Sequence, residues 1–472
     1  MQTNKAFRSY DLGQTLLLPP DLNDWLPEDH LARFVADTLA SIDLSAFLAD
    51  YEDGRGLAAY HPQMMLSVLV YGYCTGVRSS RKLATACQEH VAFRFLSANA
   101  MPRHTTFANF RRRHFAAMES LFVEIFQLCR EAGLVHLGHV AIDGSKFQAN
   151  AGRHRAVSWE RLEERERYYR TMSKELMEQA ELQDATEDGE WGEDGDGSCL
   201  PAGLKRAQDR LARLAEAKAA LKARARERCT QEREKKQKRL DEIAEQERQT
   251  GKKFCGRRPS LPDPEQAEPK NTDQYSFSDP DARLMPDGAT KSFAFAYNAQ
   301  IAADGSSGVI VGTVLTHHAN DRHQLIPTLE NLASLNHGKL PQIVSADNGY
   351  YKEDLLTDKR LDGVDLYIPP NKPGKKSPMP NPAEGGGDHL PPDKPRSPSE
   401  TMRQKLQTPK GKDVYKMRKA YAEPVFGIIK AAMGFRTFSL RGRAKVAGEW
   451  GLVTAAYNLR KLFRNQGSMV MT

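Results

Sequence analysis

The stretch HVAIDGSKFQANA, residues 139–151, is where the chain changes character. Val140, Ala141 and Ile142 form a short apolar run of strand type that closes on a carboxylate, Asp143, with Gly144 behind it. On the N-terminal side the pattern is helical. Glu28 to Leu39, His61 to Tyr73, Ser79 to Phe93 and Thr105 to Leu128 carry apolar residues three and four apart, with Ser79 and Thr105 placed as N-caps. An all-helical N-terminal domain is therefore expected over 1–135. On the C-terminal side SFAFAYNAQIA (292–302) alternates, and GVIVGTVLT (308–316), QIVSAD (342–347) and DLYIPP (365–370) read as further strands. Helices are predicted over Asp321 to Leu335 and Lys352 to Lys359. The order βββαβαβα predicts an α/β fold, a mixed sheet with packed helices, over 136–154 and 276–465.

Two segments interrupt that sheet. The first, 155–275, is too polar to be core. Trp159, Leu162, Tyr169, Met172 and Leu176 mark one helix, and Leu204, Ala207, Leu211, Leu214, Leu221 and Ala225 mark a second, with the acidic stretch 184–198 between them. Residues 204–250 hold 15 Lys or Arg against 9 Asp or Glu, so the long helical insertion should project as a charged hairpin: a solvated arm, or one that contacts DNA or a second subunit. The second interruption, 369–412, is Pro- and Gly-rich. Ten of the 26 prolines fall between 369 and 400, which predicts a flexible loop.

Composition narrows the function classes. At 472 residues, two or three units are expected. A mean hydropathy of -0.61 and the shortness of the Met64 to Cys74 apolar run exclude a membrane protein, and the expected location is the cytoplasm. Six cysteines without CxxC pairs read as free thiols rather than a zinc site. The net charge of +7 permits a polyanionic partner.

Asp143 and Asp347 each close a predicted strand, and carboxylates at neighbouring strand ends can converge on shared divalent ions. Each also stands in an ordinary turn context, Asp143-Gly144 and Asn348-Gly349. A third carboxylate, Glu423, precedes Pro424, which suits a first helical turn. Val425, Ile428, Ile429 and Ala432 follow as a buried stripe, and Lys430 lies two turns from Glu423 on nearly the same face. Arg111, Arg112 and Arg113 crowd one helix, a candidate for phosphate contact. Asp321 is explained as a helix N-cap, and His317, His318 and His323 as packing or capping groups.

Together these motifs resemble the DDE transposases of bacterial insertion sequences, whose catalytic domain is RNase H-like, and most nearly the insertion-sequence 1182 type. The resemblance rests on SSRKLATACQEH, TTFANFRRRH, IDGSKFQANA, YNAQIA, SADNGY and EPVFGIIKAAMGFRTFSLRG. It implies that Asp143, Asp347 and Glu423 bind Mg2+ (or Mn2+) as the catalytic triad, and that Lys430 matches the lysine of the Tyr-Arg-Glu-Lys signature. The signature's arginine and tyrosine positions fall on Lys419 and Lys416, each one residue from Arg418 and Tyr415. DNA contacts are expected at Lys430, Arg111, Arg112, Arg113, Arg418 and Lys419. The implied substrates are double-stranded DNA, namely terminal inverted repeats and target DNA, acted on by a homodimer in a bacterial cytoplasm. Two other readings compete: an RNase H-like nuclease that cuts without joining, and a non-catalytic DNA-binding derivative.

Overall fold

The computed structural model describes residues 21–51, 58–152, 155–191, 202–251, 253–286, 292–370 and 397–469. Seven helices come first: α1 (Leu31–Ser41), α2 (Ser45–Leu48), α3 (Pro62–Thr75), α4 (Ser80–Glu89), α5 (Val91–Leu96), α6 (His104–Arg113) and α7 (Phe115–Glu131). Two expected helices are each broken by a histidine. His90 takes extended backbone between α4 and α5. His114 separates α6 from α7, turning its ring into a buried nest with Phe47, Phe110 and Tyr51, whose hydroxyl lies 3.1 Å from Nε2. The predicted caps move too. Ser79 makes no capping bond and α6 begins at His104, before Thr105. The side chains that cap are His30, accepting from Ala32 N, and His61, accepting from Gln63 N.

The sheet is built from β1 (His139–Gln148), then β4 (Arg283–Pro286), β5 (Phe293–Asp304), β6 (Ile310–Thr316), β7 (Ile343–Ala346) and β8 (Asp365–Tyr367); β2 (Ala156–Ser158) and β3 (Gln274–Ser276) form a separate small ladder. β1 is central. It runs antiparallel to β5 and parallel to β7, which pairs in parallel with β8, while β5 carries β4 and β6 on its other edge. The insertion leaves from β2 and returns at β3 as α8 (Trp159–Trp191) and α9 (Ala202–Thr250). At 1.5 Å per residue the 49 residues of α9 extend about 74 Å. The hairpin has its own small core, in which Trp159, Leu162, Leu214, Ala217 and Leu221 close over Val157 and Tyr275.

After the sheet come α10 (Leu325–Leu335), α11 (Pro398–Gln407), α12 (Pro409–Gly427), a π-turn at Ile428–Ala432, and α13 (Arg443–Met469). Three expectations change here. Lys352 to Lys359 holds 3-10 turns rather than an α-helix. The loop predicted over 369–412 is helical from 398, because Ser397 and Glu400 form a capping box on α11 and Thr408 caps α12; 371–396 lie outside the described residues. Pro424 lies inside α12 rather than at its start, where its ring leaves the carbonyl one turn earlier without its helical donor, and a π-turn follows at Ile428–Ala432. The buried stripe is Ala422, Val425, Phe426, Ile429 and Met433, while Ala432 faces outward.

One continuous apolar core joins the N-terminal helices to the sheet, with α13 threaded between them. Gly448 and Gly451 permit this. A side chain at Gly451 would sit 2.9 Å from Met118 O and Glu119 Cα, so α13 lies on the backbone of α7 itself. A buried polar network locks the same junction. Glu449 accepts from Ser439 N at 2.8 Å, Leu440 N at 3.0 Å and the Tyr73 hydroxyl at 3.0 Å, and Arg111 donates to Tyr73 Oη, Ser439 Oγ, Arg78 O and Ser80 Oγ.

Candidate active site

Asp143 lies in the middle of β1 rather than at its end, and Asp143-Gly144 is strand, not turn. The register explains why it still meets Asp347. The parallel pairing of β1 with β7 ends at Ile142 opposite Ala346, so the next residues on the two strands are Asp143 and Asp347. Adjacent strands are about 4.8 Å apart, and here two carboxylates stand where they part. Asp347 is fixed by accepting from Gly349 N at 2.8 Å, which starts the short 3-10 turn after β7.

Burial raises the Asp143 carboxyl to about 6. Arg418 and the Gly144 N–H oppose that shift, and the charges of Asp347 and Asp321 add to it. Tyr350 is held well above the ordinary tyrosine value by burial, then by Asp321, Asp143 and Asp347. The buried Tyr350 hydroxyl donates to Gln300 Oε1.

Asp321 is not the N-cap that its place ahead of α10 suggests. Gln324 occupies that position on α10, and Asp321 instead accepts from Asn298 Nδ2 and Gln300 Nε2, both at 2.7 Å. These groups press on β1 so closely that a side chain at Gly144 would meet Asp321 Oδ1 at 2.7 Å; only glycine fits at this point of the strand that carries Asp143. The alternating polar residues of YNAQIA, placed inward on a strand, were the available signal for this buttress.

Strand alternation sets Asp143, Ser145 and Phe147 on the face covered by α12. There Lys430 Nζ donates to Ser145 Oγ at 2.5 Å and sits 4.9 Å from the Phe147 ring centre, so it lies beside the strand that carries Asp143. Glu423 reaches the group through Arg418, whose Nη2 lies 3.8 Å from Glu423 Oε1. The Arg418 side chain is 9% exposed and that of Glu423 55%, so a buried cation stands between an outer carboxylate and the Asp143 pocket. Its Nε has no hydrogen-bond partner. Tyr415 lies beneath it, 5.7 Å from ring centre to guanidinium carbon. The pair that meets the site is thus Tyr415 and Arg418, while Lys419 is exposed.

The carboxylates supply hard oxygen donors, as Mg2+ or Mn2+ prefers, whereas the unpartnered Arg418 Nε–H suits an anion such as a phosphate. Among the described residues, no three His, Cys, Asp or Glu side chains are gathered closely enough to hold one ion.

Two family models match the chain. One, described as Transposase domain (DUF772), covers residues 20–113, and the other, Transposase DDE domain, covers 279–459. The enzyme is a DDE-type transposase. No curated protein and no solved structure matches it significantly. Both Asp347 and Glu423 lie within the DDE match, whereas Asp143 falls before it, separated by the helical insertion. Of the three arginines on α6, the transposase buries Arg111 in the Glu449 network, out of reach of a phosphate; Arg112 and Arg113 are exposed, and Arg113 stacks on Tyr51 at 4.8 Å. No helix among the described residues is long and apolar enough to cross a membrane.

Proposed function

We propose that the transposase cuts DNA strands at the ends of its own insertion sequence and joins them to target DNA, with Asp143, Asp347 and Glu423 holding Mg2+ or Mn2+. The observation that carries this is the β1–β7 register, which makes Asp143 and Asp347 successive neighbours past the last paired residues. The mixed sheet, with β1, β5 and β6 antiparallel and β7 and β8 parallel to β1, supports an RNase H-like domain of the insertion-sequence 1182 type. When bound, the metal would polarise the phosphodiester and activate the attacking hydroxyl.

The chain's own residues do the rest. Asp143, at about 6, is largely ionised at neutral pH and able to ligate a cation, and loses that ability in mild acid. Lys430, anchored on Ser145, offers a point charge for the phosphate beside Asp143. Arg418 partly neutralises the carboxylates before a cation arrives, and its 3.8 Å contact links Glu423 to the same group. Tyr350, Gln300 and Asp321 keep β1 in place from behind. A homodimer on DNA and contacts from Arg112, Arg113 and Lys419 belong to the same proposal.

The test is excision and integration of a marker flanked by the element's own ends. Asp143→Asn, Asp347→Asn and Glu423→Gln should each abolish cleavage while retaining binding to end DNA, since affinity is dominated by phosphate contacts. Cleavage persisting near the wild-type rate in Asp143→Asn would remove the triad.

A further inference from the structure

Where the insertion joins the body, α8 and α9 border a groove of about 570 Å³ lined by five arginines, Arg155, Arg165, Arg210, Arg213 and Arg441, and by no Asp or Glu. Its floor is Tyr169, Leu214 and Phe277. All five arginines are exposed, and none forms an ion pair among the described residues. Two are already fixed in place. Arg210 donates to the Tyr169 hydroxyl at 2.9 Å and lies 5.2 Å from that ring's centre, and Arg441 donates to Asn150 O at 3.0 Å and to Asn150 Oδ1 at 3.3 Å. Five like charges held together with no carboxylate among the groove's lining repel one another unless an anion with several charges joins them. Guanidinium forks match phosphate oxygens in pairs.

The groove's position identifies the anion. Asn150, which anchors Arg441, lies just past the end of β1 and seven residues after Asp143, roughly 20 Å at strand rise. At 3.4 Å per base pair, a duplex cut at Asp143 and lying along β1 brings its backbone to the arginines about six base pairs away. We infer that this groove grips the phosphate backbone of double-stranded DNA beside the cleavage point, so that the helical insertion is a DNA clamp rather than a solvated arm. The inference rests on the reading that the enzyme acts on DNA and, for the groove's place beside the cut, on Asp143 lying at the cleavage point; the grip on the backbone itself is tested separately.

The experiment measures binding of the full-length protein to a labelled 40-base-pair duplex of arbitrary sequence across a salt series. Arg155→Gln, Arg165→Gln and Arg213→Gln combined should reduce the slope of log affinity against log salt by about 2.7, at 0.9 per phosphate contact. The matching Lys triple should keep the wild-type slope, which separates lost charge from lost fold. A second triple on distal α9, Arg233→Gln, Arg239→Gln and Arg248→Gln, should leave the slope unchanged. An unchanged slope in the groove triple, an equal loss in the distal triple, or tighter wild-type binding to an RNA duplex of the same length would overturn the clamp. If the groove triple loses slope while Asp143→Asn still cleaves, the groove's grip on DNA stands, while the metal triad and the groove's place beside the cut fall.

Discussion

Among the described residues two arginines, Arg111 and Arg418, are buried, and the groups around them differ in how many of their hydrogens are taken. The cluster at Arg111 is nearly closed: four acceptors take hydrogens from its two terminal nitrogens, only Nε being left without a partner, and Glu449 is met by two backbone N–H groups and two hydroxyls. The cluster at Arg418 is open. It has one contact to a carboxylate, at 3.8 Å, and beside it Asp143 is pushed toward neutrality by burial. A closed buried network fixes one arrangement of the helices around it; an open one keeps charge in reserve for a ligand.

Breaking the closed cluster should give the larger thermodynamic effect. Glu449→Ala leaves Arg111 as a buried cation without its carboxylate, so about 3 to 5 kcal/mol of stability should disappear, read as a lower urea midpoint. A loss under 1 kcal/mol would show that the junction rests on apolar packing alone.

Removing charge from the open cluster should act in the opposite direction. The folded-state value of Asp143, about 6, lies above the ordinary 3.8, so its ionisation opposes folding. That cost is absent below about pH 4 and complete above about pH 6. Asp143→Asn should therefore stabilise the metal-free protein at pH 7.5 by on the order of 3 kcal/mol, with the gain fading as the pH falls to 4. Destabilisation at pH 7.5 would place Asp143 in a satisfied network like that of Glu449.

Arg418→Ala removes the nearby cation that holds the Asp143 carboxyl down, so the acid limb of a cleavage–pH profile should move to higher pH. A limb that stays put would mean that Arg418 acts on Glu423 alone. The smallest effects belong to the exposed pair on α6. Arg112→Ala and Arg113→Ala should change stability by no more than about 0.5 kcal/mol, whereas Arg111→Ala, next in sequence, should behave like Glu449→Ala. Thermal unfolding of the three variants side by side checks this.

The three neighbouring arginines show how far sequence could be read. Their number on one helix is plain in FRRRH, but which one turns inward depends on Tyr73, Ser439 and Glu449, residues separated from α6 by tens to hundreds of positions. Asp321 was lost for the same reason: a carboxylate ahead of a helix looks like a cap until Asn298 and Gln300 are seen to claim it.

Apolar periodicity, a property of neighbouring residues, was enough to locate the helical N-terminal part, the interrupted mixed sheet and the charged hairpin, whereas Asp143, Asp347 and Glu423 were joined as a set only by the resemblance of their motifs. Only the folded chain decided that Arg418 rather than Lys419 meets the acids, that α11 and α12 begin within the supposed loop, that α13 joins the N-terminal helices to the sheet in one core, and that five arginines from separate segments line one groove. The physical reason is range. Burial of an apolar face is encoded every two or three to four residues, whereas the partner of a charge is chosen by which distant segments the packing brings within a few ångströms of it.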